Sequence, residues 1–108
     1  MGKILNHETG EWEEKREIIA VDYDDTIDFA GFPNVGKIDD VAVKTLKNLK
    51  KKGNRIILWT CRCGDLLEKA VECCKNYGLE FDAINENLPE IKAAGFRSPK
   101  ILADYYIE

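Results

Sequence analysis

The stretch Ile18–Ile27, IIAVDYDDTI, decides how the rest of the chain is interpreted. Four apolar residues lead directly into three acids, Asp22, Asp24 and Asp25. The apolar run is short and rich in β-branched side chains, which favours a strand buried on both faces. Carboxylates crowded at the end of a buried segment repel one another and lose hydration, which destabilises the folded chain. We therefore expect these acids to serve a function rather than stability.

The composition defines the class of protein. The chain has 108 residues, of which 44% are hydrophobic and 33% are charged, and its net charge is −4. These values predict one globular domain over residues 1–108, in which residues 1–17 form either an N-terminal extension or a hairpin. The acidic balance argues against a nucleic-acid partner, and no apolar run is long enough to span a bilayer, so no membrane partner is expected. A cytoplasmic protein is the expectation, since the N-terminus is too polar for a signal peptide.

Strand-like and helix-like patterns alternate after residue 17. Besides the opening run, the stretches that predict strands are Arg55–Thr60, Phe81–Ile84 and Ile101–Ile107. The stretches that predict helices are 39–53, 65–78 and a short segment that starts at Pro89. Asp39 is the expected N-cap of the first helix, whereas Asp65 and Glu68 have the spacing of a capping box at the start of the second.

This alternation predicts an α/β fold, a Rossmann-like three-layer sandwich with a central parallel sheet. In such sheets, ligands bind at the carboxyl ends of the strands. Asp22 follows the first predicted strand, Thr60 ends the second and Glu108 follows the fourth. Three polar side chains therefore converge on one edge of the sheet, where we expect the functional site. Trp59, inside the second strand, is expected in the core.

Asp22 and Asp24 are spaced so that both carboxylates can face one small volume as the chain leaves its strand. One carboxylate can attack phosphorus, while the other protonates the leaving oxygen and then activates water. The charges of the nucleophile and the phosphate need partial neutralisation, which a hard divalent cation such as Mg²⁺ supplies. Glu108, from another strand, is in position to complete the ligands of this cation.

Three segments together resemble a known family. DYDDT, Asp22–Thr26, follows an apolar strand and resembles the D-x-D-x-T motif of the haloacid dehalogenase (HAD) superfamily. IILWT, which ends at Thr60, is similar to that family's second motif, a strand closing on Ser or Thr. PKILADYYIE, Pro99–Glu108, resembles the ending of its small phosphatases that have no cap domain. The resemblance runs from about Ile18 to Glu108 and implies a HAD-like fold without a cap.

The resemblance implies a phosphatase that hydrolyses a phosphomonoester through an aspartyl-phosphate, with Mg²⁺ as cofactor. Asp22 would be the nucleophile, and Asp24 the general acid and base. Thr60 would hydrogen-bond the transferring phosphoryl group, and Arg62, two residues further on, could reach the same phosphate with its guanidinium fork. The metal ligands would be Asp22, Asp24 through its backbone carbonyl, and Glu108.

Two parts of the family pattern stay open. The lysine of the third motif matches Lys100 by context, but an extended chain would put Lys100 ~25 Å from Glu108. Lys92 starts nearer the carboxyl edge and is the alternative. The fourth motif usually ends in an acidic pair, whereas Asp104 and Glu108 lie too far apart on a strand to share a metal.

The absence of a cap leaves only the loop Asp28–Lys37 to cover the site. The resemblance therefore implies either a partner subunit as lid, in a homo-oligomer, or a large protruding phosphorylated substrate. An alternative function is a non-catalytic phosphate- or metal-binding regulatory domain, either a degenerate HAD protein or a receiver-like one. A receiver needs an acceptor aspartate at the end of the third strand, where this chain has Ile84 and Asn85.

The four cysteines are Cys61, Cys63, Cys73 and Cys74. Their spacing is unlike that of zinc ligands. Cys74 continues the apolar face of a predicted helix, so we expect reduced and mostly buried thiols.

Overall fold

The computed structural model describes residues 3–5, 8–14, 16–93 and 103–108. Two short strands, β1 (Lys3–Leu5) and β2 (Trp12–Glu14), pair antiparallel in the N-terminal segment. This pairing corresponds to the hairpin, one of the two forms expected there. The strands form a two-stranded sheet of their own, separate from the sheet that carries the candidate site.

The main sheet has four parallel strands in the order β5-β4-β3-β6. These strands are β3 (Ile18–Val21), β4 (Arg55–Leu58), β5 (Ala83–Ile84) and β6 (Tyr105–Ile107). From β3 to β5 the chain adds strands on one side, and it then returns to place β6 on the other side of β3. The strand order thus reverses between β3 and β6, and the crevice at such a reversal is where open α/β sheets bind ligands.

Helices cover both faces of this sheet. They are α1 (Asp40–Lys51), α2 (Gly64–Asn76) and α3 (Pro89–Ala93). On one face, Leu46 of α1 and Cys74 of α2 belong to the same buried cluster as Ile56 of β4. On the other face, Ile57 belongs to a smaller cluster against which Ile91 of α3 packs. The predicted α/β sandwich with a central parallel sheet is confirmed, and no described helix is long and apolar enough to cross a membrane.

Two aspartates explain why the outer strands are shorter than predicted. Asp82 accepts a hydrogen bond from the backbone N–H of Ile56 at 2.7 Å, and Asp104 accepts one from the N–H of Ile18 at 2.7 Å. Each carboxylate takes the place of a backbone carbonyl at the start of the neighbouring strand. The strands β5 and β6 therefore begin only at the residue after each aspartate. The first two residues of the predicted strand Ile101–Ile107 lie outside the described residues.

The two long helices begin in different ways. Asp39 caps α1 as predicted, since its carboxylate accepts hydrogen bonds from two backbone N–H groups of the first turn. The capping box predicted at Asp65 is wrong. Helix α2 begins at Gly64, after an N-cap Cys63 whose side chain makes no capping hydrogen bond. Asp65 therefore lies inside the first turn, where its charge complements the helix dipole.

Candidate active site

A cavity of about 230 Å³ opens at the carboxyl edge of the main sheet. We call it the edge cavity. Its side-chain functional groups come from Asp22, Thr60, Cys61, Glu108, Trp59 and Tyr106. Asp22 follows β3, Thr60 lies two residues beyond β4, and Glu108 follows β6. The structure thus brings together three of the residues that the sequence places at this edge.

Asp22 lies at the point where the strand order reverses. Its backbone N–H donates a hydrogen bond to the carbonyl of Ile107 at 2.8 Å, which fixes the end of β3 against β6. Its Oδ1 accepts a hydrogen bond from the N–H of Tyr23 at 2.7 Å. The half-buried side chain borders the edge cavity, so the backbone holds a carboxylate at the wall of this cavity.

Thr60 is buried, and two neighbours fix its orientation. Its N–H donates to Oδ1 of Asn85 at 2.7 Å, and its Oγ1 accepts from the N–H of Arg62 at 3.1 Å. Asn85 has a φ of 52°, a left-handed conformation that asparagine adopts more readily than most residues. A hydroxyl that accepts a hydrogen bond can still donate its hydrogen, so Thr60 is able to donate to a ligand in the cavity.

Asp24 pairs with Arg62 and does not line the edge cavity. The fully buried guanidinium donates from Nε and Nη2 to the two Asp24 oxygens, at 2.9 and 2.7 Å. It also donates to the backbone carbonyls of Pro33 at 3.2 Å, Asn34 at 2.8 Å and Leu66 at 3.4 Å. The Asp24 hydrogen bonds raise the pKa of Arg62, although burial opposes this. The N–H groups of Arg62, the residue expected to reach the phosphate, are directed at Asp24 and backbone carbonyls, and Arg62 does not line the edge cavity.

Asp28 organises the loop that follows it. Its carboxylate is buried and accepts hydrogen bonds from the Tyr23 hydroxyl and from the N–H groups of Ala30 at 2.9 Å, Gly36 at 2.7 Å and Lys37 at 3.0 Å. Burial works against the charged form, but these donors together lower the pKa of Asp28 below its ordinary value. Burial and then the hydrogen bond to Asp28 raise the pKa of Tyr23. Sequence reasoning missed this acid. The sequence feature that could have revealed Asp28 is the glycine-containing loop that follows it, because the backbone N–H groups of such a loop need an acceptor.

The loop Asp28–Lys37 is also held by Arg62. The guanidinium carbon lies 4.9 Å from the ring centre of Tyr23 and 5.2 Å from that of Phe32. Phe29 and Phe32 are 44% and 61% exposed. The loop is therefore held from the protein interior by Arg62, while its two phenylalanine rings are exposed to solvent. None of its residues lines the edge cavity, so the cover expected from this loop is not formed here.

Two further residues that the structure describes, Lys92 and Asp25, do not line the edge cavity. Lys92 forms an ion pair with Glu86 at 3.0 Å on the surface, and Lys100 lies outside the described residues. Asp25 is exposed with a φ of 61°, a left-handed conformation that glycine adopts most readily.

The cysteines are free, but the prediction of mostly buried thiols is wrong for two of them. Cys61 and Cys63 are exposed, because both follow β4 on the loop that leads to α2. Cys74 is buried, and burial raises the pKa of its thiol to about 12.

The donor set of the edge cavity fits Mg²⁺. Asp22 and Glu108 border the same space, and Mg²⁺ is usually held by one or two carboxylates together with water and substrate phosphate. No group of three or more His, Cys, Asp or Glu side chains that could hold a metal occurs among the described residues. The residues therefore suit a cation that is bound together with its phosphate ligand.

The fold and the reversal of strand order define a Rossmann-like α/β protein with a cavity at the carboxyl edge of its sheet. A solved structure of a conserved protein from Bacteroides thetaiotaomicron is 44% identical to this chain, with a TM-score of 0.77. The match covers 86% of this chain and 75% of that one. The chain belongs to the same family as this conserved Bacteroides protein. Neither the protein-family models nor the curated proteins that were compared match the sequence.

Proposed function

We propose that this protein is a Mg²⁺-dependent phosphatase of the HAD type that hydrolyses a phosphomonoester through an aspartyl-phosphate. One observation carries the proposal. Asp22 and Thr60 line the same cavity at the reversal of strand order. This is the arrangement that in-line attack on a bound phosphoryl group requires, because a nucleophile and a hydrogen-bond donor must reach the same phosphorus centre.

In the proposed reaction, an Asp22 oxygen forms a bond to phosphorus as the bond from phosphorus to the leaving oxygen breaks. Asp24 gives that leaving oxygen its proton and then removes a proton from the water that hydrolyses the aspartyl-phosphate. Thr60 donates its hydroxyl hydrogen to the phosphoryl oxygens during both steps. The products are an alcohol and inorganic phosphate.

Mg²⁺, held by Asp22, Glu108 and the Asp24 carbonyl, would supply positive charge beside the phosphate. We assign Arg62 to positioning rather than to phosphate binding, because its side chain is fully buried against Asp24. The Asp24 side chain remains 25% exposed, which leaves a path for a substrate oxygen to replace one arginine contact.

The proposal includes a phosphorylated substrate and a cytoplasmic location. Because the loop Asp28–Lys37 does not line the edge cavity, the site needs another cover. Either a second copy of the chain or the body of a large substrate would exclude water from the reacting phosphate.

The Asp24–Arg62 pair also favours a second candidate, a non-catalytic phosphate- or metal-binding regulatory domain. Both oxygens of the Asp24 carboxylate accept hydrogen bonds from the Arg62 guanidinium, so neither oxygen is directed at a substrate in the edge cavity. If Asp24 keeps this pair when ligand binds, the chain would bind phosphate and Mg²⁺ without turnover.

Phosphate release from an aryl phosphate, measured with and without Mg²⁺, separates the two candidates. We expect release that requires Mg²⁺ and is lost in Asp22→Asn, while Asp25→Asn, at an exposed position three residues further on, keeps it. The absence of release from the native chain, together with Mg²⁺ binding in calorimetry, would contradict the phosphatase and support the regulatory domain.

A further inference from the structure

Two aromatic rings form a wall of the edge cavity, and the proposed reaction does not use them. Trp59 follows β4, and Tyr106 is the central residue of β6. Their ring centres are 5.4 Å apart and their planes meet at 61°, an edge-to-face contact. Both rings line the cavity that Asp22 and Thr60 border.

The register of the sheet explains how these rings meet across an intervening strand. Ala20 of β3 pairs with Tyr106 on one side and with Ile57 on the other, so the three side chains leave the same face of the sheet. Trp59 lies two residues beyond Ile57, and the alternation along an extended chain gives its side chain the same direction. The small Ala20 lies beneath the two rings, which contact each other. We call the exposed aromatic surface that Trp59 and Tyr106 present to the edge cavity the ring slot.

Both rings keep a large exposed surface, although the sequence suggests a core position for Trp59. Trp59 is 38% exposed and Tyr106 is 39% exposed. Exposed aromatic surface beside convergent polar groups is typical of small-molecule sites, where rings bind the ligand body and polar groups orient it. The cavity, at about 230 Å³, is slightly below the range of about 300–1,000 Å³ of such sites. It suits one ring and its phosphate, and any larger part of the ligand extends into solvent.

We infer that the ring slot selects a phosphate ester with a planar aromatic or heteroaromatic group next to the ester oxygen. This inference rests on the proposed function, because it places the phosphate against Asp22 and Thr60. The ring of the substrate stacks on the exposed face of Trp59, beside Tyr106. A saturated ring of the same size loses this contact because its puckered face cannot approach a flat one closely.

Benzyl phosphate and cyclohexylmethyl phosphate test the inference, since both leave as primary alcohols of similar size and differ in the planarity of the ring. We expect KM for benzyl phosphate to be about tenfold lower, the size of one stacking contact. Trp59→Leu should remove this preference and Trp59→Phe should keep it. Tyr105→Leu is the matched control, because Tyr105 is an exposed aromatic residue of β6, next to Tyr106, and does not line the cavity.

A binding readout separates this inference from the proposed reaction. In a Trp12→Phe background, Trp59 is the only tryptophan, so its fluorescence reports the ring slot. Benzylphosphonate, which is not hydrolysed, should bind about tenfold more tightly than cyclohexylmethylphosphonate with Mg²⁺ present. Equal binding of the two phosphonates would overturn the ring slot even if both esters are hydrolysed. A preference for benzylphosphonate without hydrolysis of either ester would overturn the phosphatase and leave the ring slot standing.

Discussion

The acidic side chains at the carboxyl edge of the main sheet differ in the number of hydrogen bonds that they accept. The loop half of this edge contains Asp24, Arg62 and the loop Asp28–Lys37, and the cavity half contains the residues that line the edge cavity. In the loop half, Asp24 accepts two hydrogen bonds from Arg62, and Asp28 accepts four from the Tyr23 hydroxyl and backbone N–H groups. In the cavity half, the Asp22 carboxylate accepts a hydrogen bond from the next backbone N–H, and Glu108 is exposed. Asp22 and Asp24, one from each half, are only two residues apart in the sequence.

This difference separates acids that hydrogen bonds hold in place from acids whose lone pairs remain for a ligand. A buried carboxylate is tolerated only when donors satisfy it, and a fully bonded network makes its surroundings rigid. A carboxylate that is to attack phosphorus or bind a cation must instead keep lone pairs for its ligand. Asp24 belongs to the first group in this structure, so its proposed role as general acid and base requires a substrate oxygen to replace one of its contacts with Arg62. Substitutions of Arg62 and Asp28 should therefore lower stability, whereas substitution of Asp22 should lower activity.

The largest expected effect is the loss of activity in Asp22→Asn. We expect phosphate release to fall by at least about a thousandfold, because the amide is not a nucleophile. The free energy of unfolding should stay within about 0.5 kcal/mol of the native value, because the asparagine oxygen can still accept the Tyr23 N–H. Phosphate release and urea unfolding measure the two effects. A strong loss of stability would show that Asp22 stabilises the fold as Asp28 does, and would contradict the distinction between the two halves.

The next effect is the loss of stability on removal of Arg62. Arg62→Met should lower the free energy of unfolding by about 3 kcal/mol, because it leaves Asp24 and three backbone carbonyls without a buried donor. Arg62→Lys should restore little of this, because an ammonium group lacks the planar fork.

Arg55→Met is the matched control for this experiment. Arg55 is 40% exposed and lies 3.5 Å from Asp82, so its removal should cost at most about 1 kcal/mol. Urea unfolding measures all three variants. If Arg62→Lys is as stable as the native chain, charge alone holds the loop half together and the role of the guanidinium fork is refuted.

Asp28→Asn should cost about 2 kcal/mol, because its amide nitrogen would face groups that are themselves donors. The native pKa of Asp28 is lowered from 3.8, so its contribution to stability is complete above pH 3.8 and disappears as the pH falls through the folded-state pKa. The native chain should therefore lose more stability than the variant below about pH 4.

The midpoints of urea unfolding, measured between pH 2 and pH 7, should become more similar for the native chain and Asp28→Asn as the pH falls. Asp39→Asn is the control, because asparagine caps a helix as well as aspartate does. Parallel curves for the native chain and Asp28→Asn would mean that the charge of Asp28 does not stabilise the fold.

The smallest effect is a difference in alkylation rates that reports access to the cavity half. Cys61 and Cys63 should react with iodoacetamide at least about tenfold faster than Cys74, whose buried thiol is almost entirely protonated near neutral pH. Inorganic phosphate with Mg²⁺ should slow the reaction of Cys61, which lines the edge cavity, and not that of Cys63. Trypsin cleaves between the two after Arg62, so mass spectrometry resolves them. Equal protection of both cysteines would show that the ligand binds elsewhere or reshapes the whole loop.

Sequence patterns predict the cavity half better than the loop half. The buried strand Ile18–Val21 and the N-cap Asp39 follow from local patterns, and Asp22 and Thr60 follow from the rule that ligands bind at strand ends. These features depend on the chain near each residue and on the order of the strands. They need no knowledge of distant side-chain contacts.

The loop half depends on contacts between residues far apart in the sequence. The pair of Asp24 and Arg62 spans 38 residues, and no local pattern distinguishes a buried arginine from an exposed one. Asp28 could be found only by asking which acceptor serves the N–H groups of the following loop. The exposure of Trp59 depends on Tyr106 of β6 and on the small Ala20 between them, which requires the register of three strands.

The most direct test of the central claim is to trap the phosphoryl group on the protein. The native chain is mixed with benzyl phosphate and Mg²⁺, quenched in acid within the first turnover, and analysed by peptide mass spectrometry. We predict that one phosphoryl group is found on Asp22, and that the same peptide is unmodified in Asp22→Asn and in native chain treated with a chelator. Sustained phosphate release without modification of Asp22, or modification of another residue, would contradict the account.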